Sequence, residues 1–172
     1  MRFFQFVLLA LCLCATTTLN SQTTEAKKYK TLPSINIKNL NGKSVDIQDY
    51  AKNGKITVLS FWATWCHPCK RELDAIADLY PDWQEDYDME LVAITIDDAR
   101  SMRKVKPLVE TKGWEYIILS DSNEDLKRAL NFRTVPMTLL LDQKGNIVYE
   151  HNSYSPGDED ELEDKIKVLA GK

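Results

Sequence analysis

The stretch that most limits the fold is Ile56–Lys70, ITVLSFWATWCHPCK. Its first part, Ile56–Trp62, is a run of β-formers without polar alternation, the pattern of a strand buried on both faces. Cys66 and Cys69 follow, spaced C-x-x-C. A helix is expected to start at the cysteines, because Pro68 is tolerated in a first turn where its missing N–H is not needed. Cys69, Glu72, Leu73, Ile76 and Tyr80 recur at helical spacing and form one stripe. Pro81 is expected to end that helix. A buried strand that runs into a helix through paired cysteines is a narrow structural context.

The rest of the chain supplies a frame for it. INIKNLNGKSVDI alternates around Asn41-Gly42, a strong hairpin signal. Met89–Asp97 and YIILSD read as strands, Arg100–Lys112 as a helix disturbed by Pro107, and NEDLKRAL as a short helix. MTLLLD, a turn over 143–146 and IVYE form a second hairpin. The chain closes with an amphipathic helix, with Ser155 its candidate N-cap and Leu162, Ile166 and Leu169 on one face. The acidic run Asp158–Asp164 reads as a complement to the helix N-terminus and solvent, without functional weight. Strands alternating with helices before a terminal hairpin and helix predict a three-layer α/β sandwich, its middle strands parallel and its last pair antiparallel.

The N-terminus belongs to a different kind of segment. Arg2, an apolar run from Phe3 to about Ala15 and then small polar residues follow the order of a secretory signal peptide. The run is shorter than the roughly 20 apolar residues that span a bilayer. Residues 1–21 are therefore read as a signal, cleaved or kept as an anchor, residues 22–33 as a flexible linker and 34–172 as the folded domain. Lipidation at Cys12 or Cys14 is disfavoured, since each follows a leucine where a small residue is needed. Removing the signal leaves Cys66 and Cys69 of the four cysteines, in an oxidising compartment. The formal net charge of −4 disfavours nucleic acid as a partner, because phosphate binding needs a basic excess.

The pair could be a metal clip, a structural bridge or a redox couple. A bridge closing so short a loop adds little stability. Zinc or copper bound by Cys66, Cys69, His67 and His151 is disfavoured, because His67 sits inside the tight turn and a structural zinc site needs four converging ligands. Thiol–disulfide exchange needs a thiolate and a second sulfur to resolve the mixed disulfide. At a helix N-terminus, orphan N–H groups and the macrodipole stabilise the Cys66 thiolate. Cys69, one turn in, is the resolving thiol.

FWATWCHPCK resembles the active site of the thioredoxin superfamily, and TVPMTLLLD resembles that family's cis-proline segment. The likeness spans about Ile35 to Ala170. The N-terminal hairpin and the strand–helix insertion around Met89–Lys112 resemble the TlpA/ResA/DsbE branch. The resemblance implies a thioredoxin-like sandwich with a mixed sheet and an exported thiol–disulfide oxidoreductase with no cofactor. It further implies protein thiols or disulfides of the cell envelope as partners, in the manner of cytochrome c maturation, with a membrane electron donor and a monomeric enzyme. It implies a Cys66–Cys69 disulfide, a cis Pro136 facing Cys66, and Val135 offering backbone groups to an extended substrate.

Glu72 is the polar member of the apolar stripe, at an offset where ResA-like proteins hold a glutamate near the cysteines. There it would raise a thiol pKa or carry its proton. Ser60 stands where thioredoxin has a buried aspartate, and Asp74 where many relatives have a helix-kinking proline. His67 and Pro68, between the cysteines, are candidates for tuning the couple. Trp65 is expected to be a partly exposed substrate shelf, and Trp62, Trp83 and Trp114 to be packing. A peroxiredoxin-type peroxidase would need a threonine at the position of Ala63. A noncatalytic binding module is disfavoured by the intact C-x-x-C and Pro136. The nearest alternative is an oxidant that introduces disulfides, since direction depends on potential and on the recharging partner.

Overall fold

The structure is a computed structural model that describes residues 30–172. The signal and most of the linker lie outside the described residues. Of the linker's end, Lys30–Thr31 forms strand β1 and Leu32 is buried. A hairpin of β2 (Asn36–Asn39) and β3 (Ser44–Asp46) follows, turning at Gly42, whose φ of +79° suits glycine. A short helix α1 (Gln48–Ala51) leads to β4 (Ile56–Trp62), every residue of which is buried. Then come α2 (His67–Tyr87), β5 (Met89–Thr95), a 3-10 turn at Ser101–Lys104 and α3 (Val105–Lys112). The chain finishes with β6 (Ile117–Ser120), α4 (Asp125–Leu130), β7 (Met137–Leu141), β8 (Asn146–Asn152) and α5 (Asp158–Ala170).

One eight-stranded sheet runs in the order β1-β8-β7-β4-β5-β6-β2-β3. β4, β5 and β6 are parallel, and β7 pairs antiparallel with β4 and with β8. Helices cover both faces, as the three-layer expectation requires. Lys112 of α3 bonds Asp74 of α2, and Tyr87 of α2 bonds Glu163 of α5, so these three helices share one face. Phe61, whose side chain points the other way from Ser60 and Trp62, meets Phe132 just after α4 at 4.6 Å. The other layer therefore holds α4. The hairpin at Gly42 and the strand–helix insertion (β5, α3, β6) stand where the sequence placed them.

Three local expectations fail for tertiary reasons. Pro81 does not end α2, which continues to Tyr87. An interior proline costs about 3 kcal/mol in an isolated helix. Here Tyr80 and Trp83 on either side of it are buried, and the apolar area they remove from water outweighs the lost hydrogen bond. Ser155 does not cap α5; Gly157 occupies the cap at φ +102°, and the Ser155 N–H instead donates to Asp158 at 2.7 Å. The helix expected over 100–112 is split, with Pro107 falling in the first turn of α3, where it is tolerated.

Candidate active site

Cys66 is the N-cap of α2 and lies in extended backbone (φ −82°, ψ 104°). The Cys69 N–H donates to Cys66 Sγ at 3.3 Å, and the two sulfurs form a disulfide with the Cα atoms 5.4 Å apart. Cys66 is 4% exposed and Cys69 fully buried. Pro68 has no N–H and the Lys70 N–H bonds the Cys66 carbonyl, so the Cys69 N–H is the helix-start donor directed at the Cys66 sulfur, an arrangement that favours negative charge there. His67 and Pro68 open the helix and are exposed. Trp65 is 67% exposed just before the cap.

The segment that delivers Cys66 is held by a residue the sequence reading missed. Asp97, fully buried just past β5, accepts the Thr64 N–H at 2.8 Å, the Thr64 hydroxyl at 2.7 Å and the Thr95 hydroxyl at 2.6 Å. Its own N–H is satisfied by Thr95 Oγ1. Buried carboxylates are tolerated when hydrogen-bonded in this way. The Lys70 ammonium adds a bond to the Thr64 carbonyl at 3.0 Å. The signal for Asp97 was present as a carboxylate closing the apolar run of β5.

The Val135–Pro136 peptide is cis, with Pro136 buried and Val135 half-buried. Phe61 of β4 pairs with Met137 of β7. That register brings Val135 and Pro136 to the sheet end from which Trp62 leads to Cys66. Asp74 accepts the Trp114 indole N–H at 3.0 Å and the Lys112 ammonium at 2.6 Å. Trp114 in turn packs edge-on against Trp62. His151 stands on β8 and pairs with Asp158 at 3.0 Å. Among the described residues no group of three or more His, Cys, Asp or Glu is arranged to hold a metal.

Glu72 is three residues past Cys69 on the buried stripe of α2 and is 4% exposed. Its Oε1 accepts the Thr138 hydroxyl at 2.5 Å, whereas Oε2 is buried without a partner. Burial raises its pKa from 4.5 to about 7, opposed by the Thr138 bond and reinforced by Asp158 and Glu159 of α5. The Ser60 hydroxyl is buried close by, short of full hydrogen-bond geometry, and as a nearby donor it also lowers the Glu72 pKa. The acidic run at the start of α5 is thus more than a solvated helix end. Asp158 and Glu159 line a cleft with Glu72 because α5 packs back onto α2.

These features agree with what the chain is similar to. A sequence profile of the family described as AhpC/TSA matches residues 29–150. The chain belongs to the AhpC/TSA family. It is 27% identical over 140 residues to the thiol-disulfide oxidoreductase ResA of Bacillus thuringiensis subsp. konkukian (strain 97-27), covering 81% of this chain and 77% of ResA. The solution structure of a thioredoxin-like protein from Porphyromonas gingivalis superposes with a TM-score of 0.74 at 43% identity, covering 83% of this chain and 94% of that one. A thiol:disulfide interchange protein DsbE from Chlorobium tepidum shares the fold with a TM-score of 0.71 at 20% identity, covering 83% and 96%. The fold is thioredoxin-like, and this AhpC/TSA-family protein is a thiol–disulfide oxidoreductase of the ResA/DsbE type with Cys66 and Cys69 as its disulfide-forming pair.

Proposed function

We propose that this oxidoreductase works outside the cytoplasm as a monomer and reduces disulfides of specific partner proteins, in the manner of cytochrome c maturation. In the reduced enzyme the Cys66 thiolate attacks a partner disulfide, and one partner sulfur leaves as thiolate. The Cys69 thiol then gives up its proton and attacks Cys66 Sγ. The second partner thiolate departs, and the Cys66–Cys69 disulfide remains. A membrane-bound dithiol donor returns the two electrons. Trp65, Val135 and Pro136 receive the extended partner segment, His67 and Pro68 tune the couple, and Glu72 takes the proton of Cys69.

The observation that carries this reading is the asymmetry of the pair. Cys66, 4% exposed, caps α2 beside the exposed Trp65, His67 and Pro68, whereas Cys69 is fully buried one turn in and bonded to Cys66. An attacking sulfur must meet a macromolecule; a resolving sulfur must not. The apolar leader of residues 1–21 supports the compartment. The test is Cys69→Ser, expected to accumulate covalent, thiol-sensitive adducts with envelope proteins. Adducts on cytoplasmic proteins alone, or none with a wild type inert toward protein disulfides, would sink the proposal.

A further inference from the structure

Glu72 does not end a blind pocket. Ser60 of β4 pairs with Thr138 of β7, and Thr138 pairs with His151 of β8. Directly paired residues of antiparallel strands share a face, so these side chains form a polar row across the sheet on the α2 side. The buried end is Ser60 Oγ, which has no hydrogen-bond partner. The middle is the Thr138 hydroxyl on Glu72 Oε1. The outer end is the His151 ring, 28% exposed, held by Asp158 at 3.0 Å. Glu72, Thr138, Tyr149, His151, Asp158 and Glu159 line one narrow cleft between β8 and α5. A carboxyl with an unpartnered oxygen therefore shares one cleft, closed on its apolar side by Ile76 and Leu162, with a histidine–carboxylate pair at the surface.

We propose that this cleft is the proton port of the redox site, with the His151–Asp158 pair a positioning pair that sets the pH at which Cys69 resolves the mixed disulfide. The proposal rests on Glu72 taking the Cys69 proton. In that step the Cys69–Cys66 bond forms, the Cys66–partner bond breaks, and the proton passes to the Glu72 carboxylate. Glu72 then returns it to water through the mouth of the cleft, where the His151 ring is partly exposed. The other groups facing Glu72 are accounted for. Asp158 and Glu159 of α5 favour its protonated form. Burial pushes Tyr149 of β8 and Tyr154 of the β8–α5 connection up to about 12, so both stay neutral. Tyr116, after α3, is held higher still. Arg71 of α2 lies over the Tyr154 ring.

The experiment mixes reduced enzyme with a chromogenic aryl disulfide and follows the second aryl thiolate, released when Cys69 resolves, across pH. Asp158→Asn removes a negative charge from the cleft and is expected to move the rate midpoint down by roughly half a pH unit or more. That is about a threefold faster resolving step below the midpoint. His151→Phe leaves Asp158 with only the Ser155 N–H as a partner and is expected to move the midpoint up. Both effects are expected to vanish in a Glu72→Gln background. A carboxyl-carbon NMR titration of Glu72 in the oxidised protein is expected to give the same two directions, independent of rate. Unmoved midpoints in both substitutions, or equal shifts with glutamine at 72, overturn the port. If Glu72→Gln itself leaves the midpoint unchanged, the proton role of Glu72 fails with it; if it moves the midpoint, only the port fails.

Discussion

Replacing Glu72 with glutamine should stabilise the oxidised protein, and by an amount that depends on pH. In the folded state the carboxyl titrates at about 7, against 4.5 for the ordinary group. A group whose folded pKa is raised contributes stability that is fully present below the unfolded pKa and lost as pH rises through the folded one. The window is therefore 4.5 to about 7. At about 1.4 kcal/mol per pH unit the whole loss is about 3 kcal/mol. Glutamine keeps an acceptor for the Thr138 hydroxyl and has no charge to desolvate. The gap between Glu72→Gln and wild type should thus widen by about 2–3 kcal/mol between about pH 5 and about pH 8. Urea denaturation of the oxidised protein at a series of pH values reads it directly, provided the slope with denaturant is unchanged. A gap that stays constant across this range would refute a buried, proton-retaining Glu72.

Asp97→Ala strips the acceptor from the Thr64 N–H and from two hydroxyls, and should cost at least about 2 kcal/mol in the same denaturation assay; a loss below about half that would show the Thr64 segment to be held otherwise. Pro81→Ala should gain about 1 kcal/mol or more, because the ring is exposed and alanine restores an interior helix bond; a destabilised variant would mean that α2 depends on the proline for its path. Trp65→Ala should leave stability within about 0.5 kcal/mol while lowering kcat/KM for a protein disulfide and sparing a small aryl disulfide. Equal losses on both substrates would remove Trp65 from partner binding.

Much of the fold was readable because its signals are local. The unbroken apolar run of β4, the Asn41-Gly42 turn and the helical stripe from Cys69 to Tyr80 each depend on residues a few positions apart. What failed depended on burial, side-chain direction and pairing that local patterns do not carry. Pro81 reads as a helix stop until Tyr80 and Trp83 are found buried beside it. Ser155 reads as a cap until Asp158 turns back to accept its N–H. α1, with four residues and none buried, has no periodicity long enough to detect. β1 is two residues that become a strand only by pairing with Ile147 and Asn146.

The site divides the same way. Cys66 and Cys69 announce themselves by spacing, and Glu72 by being the one acid in an apolar stripe. Thr138, His151 and Asp158 carry no such mark. Thr138 lies 66 residues from Glu72 in sequence and meets it only through the register of β7 on β4. That register also sets the surroundings of Glu72. A carboxyl placed there for stability would be paired by a cation or by donors to both oxygens. Glu72 has one hydroxyl on one oxygen, two carboxylates that oppose its charge and a pKa of about 7. Near neutral pH such a group weakens the fold and is half-protonated. Both properties suit the proton-carrying role proposed for Glu72, one helical turn from a thiol that must lose a proton to react.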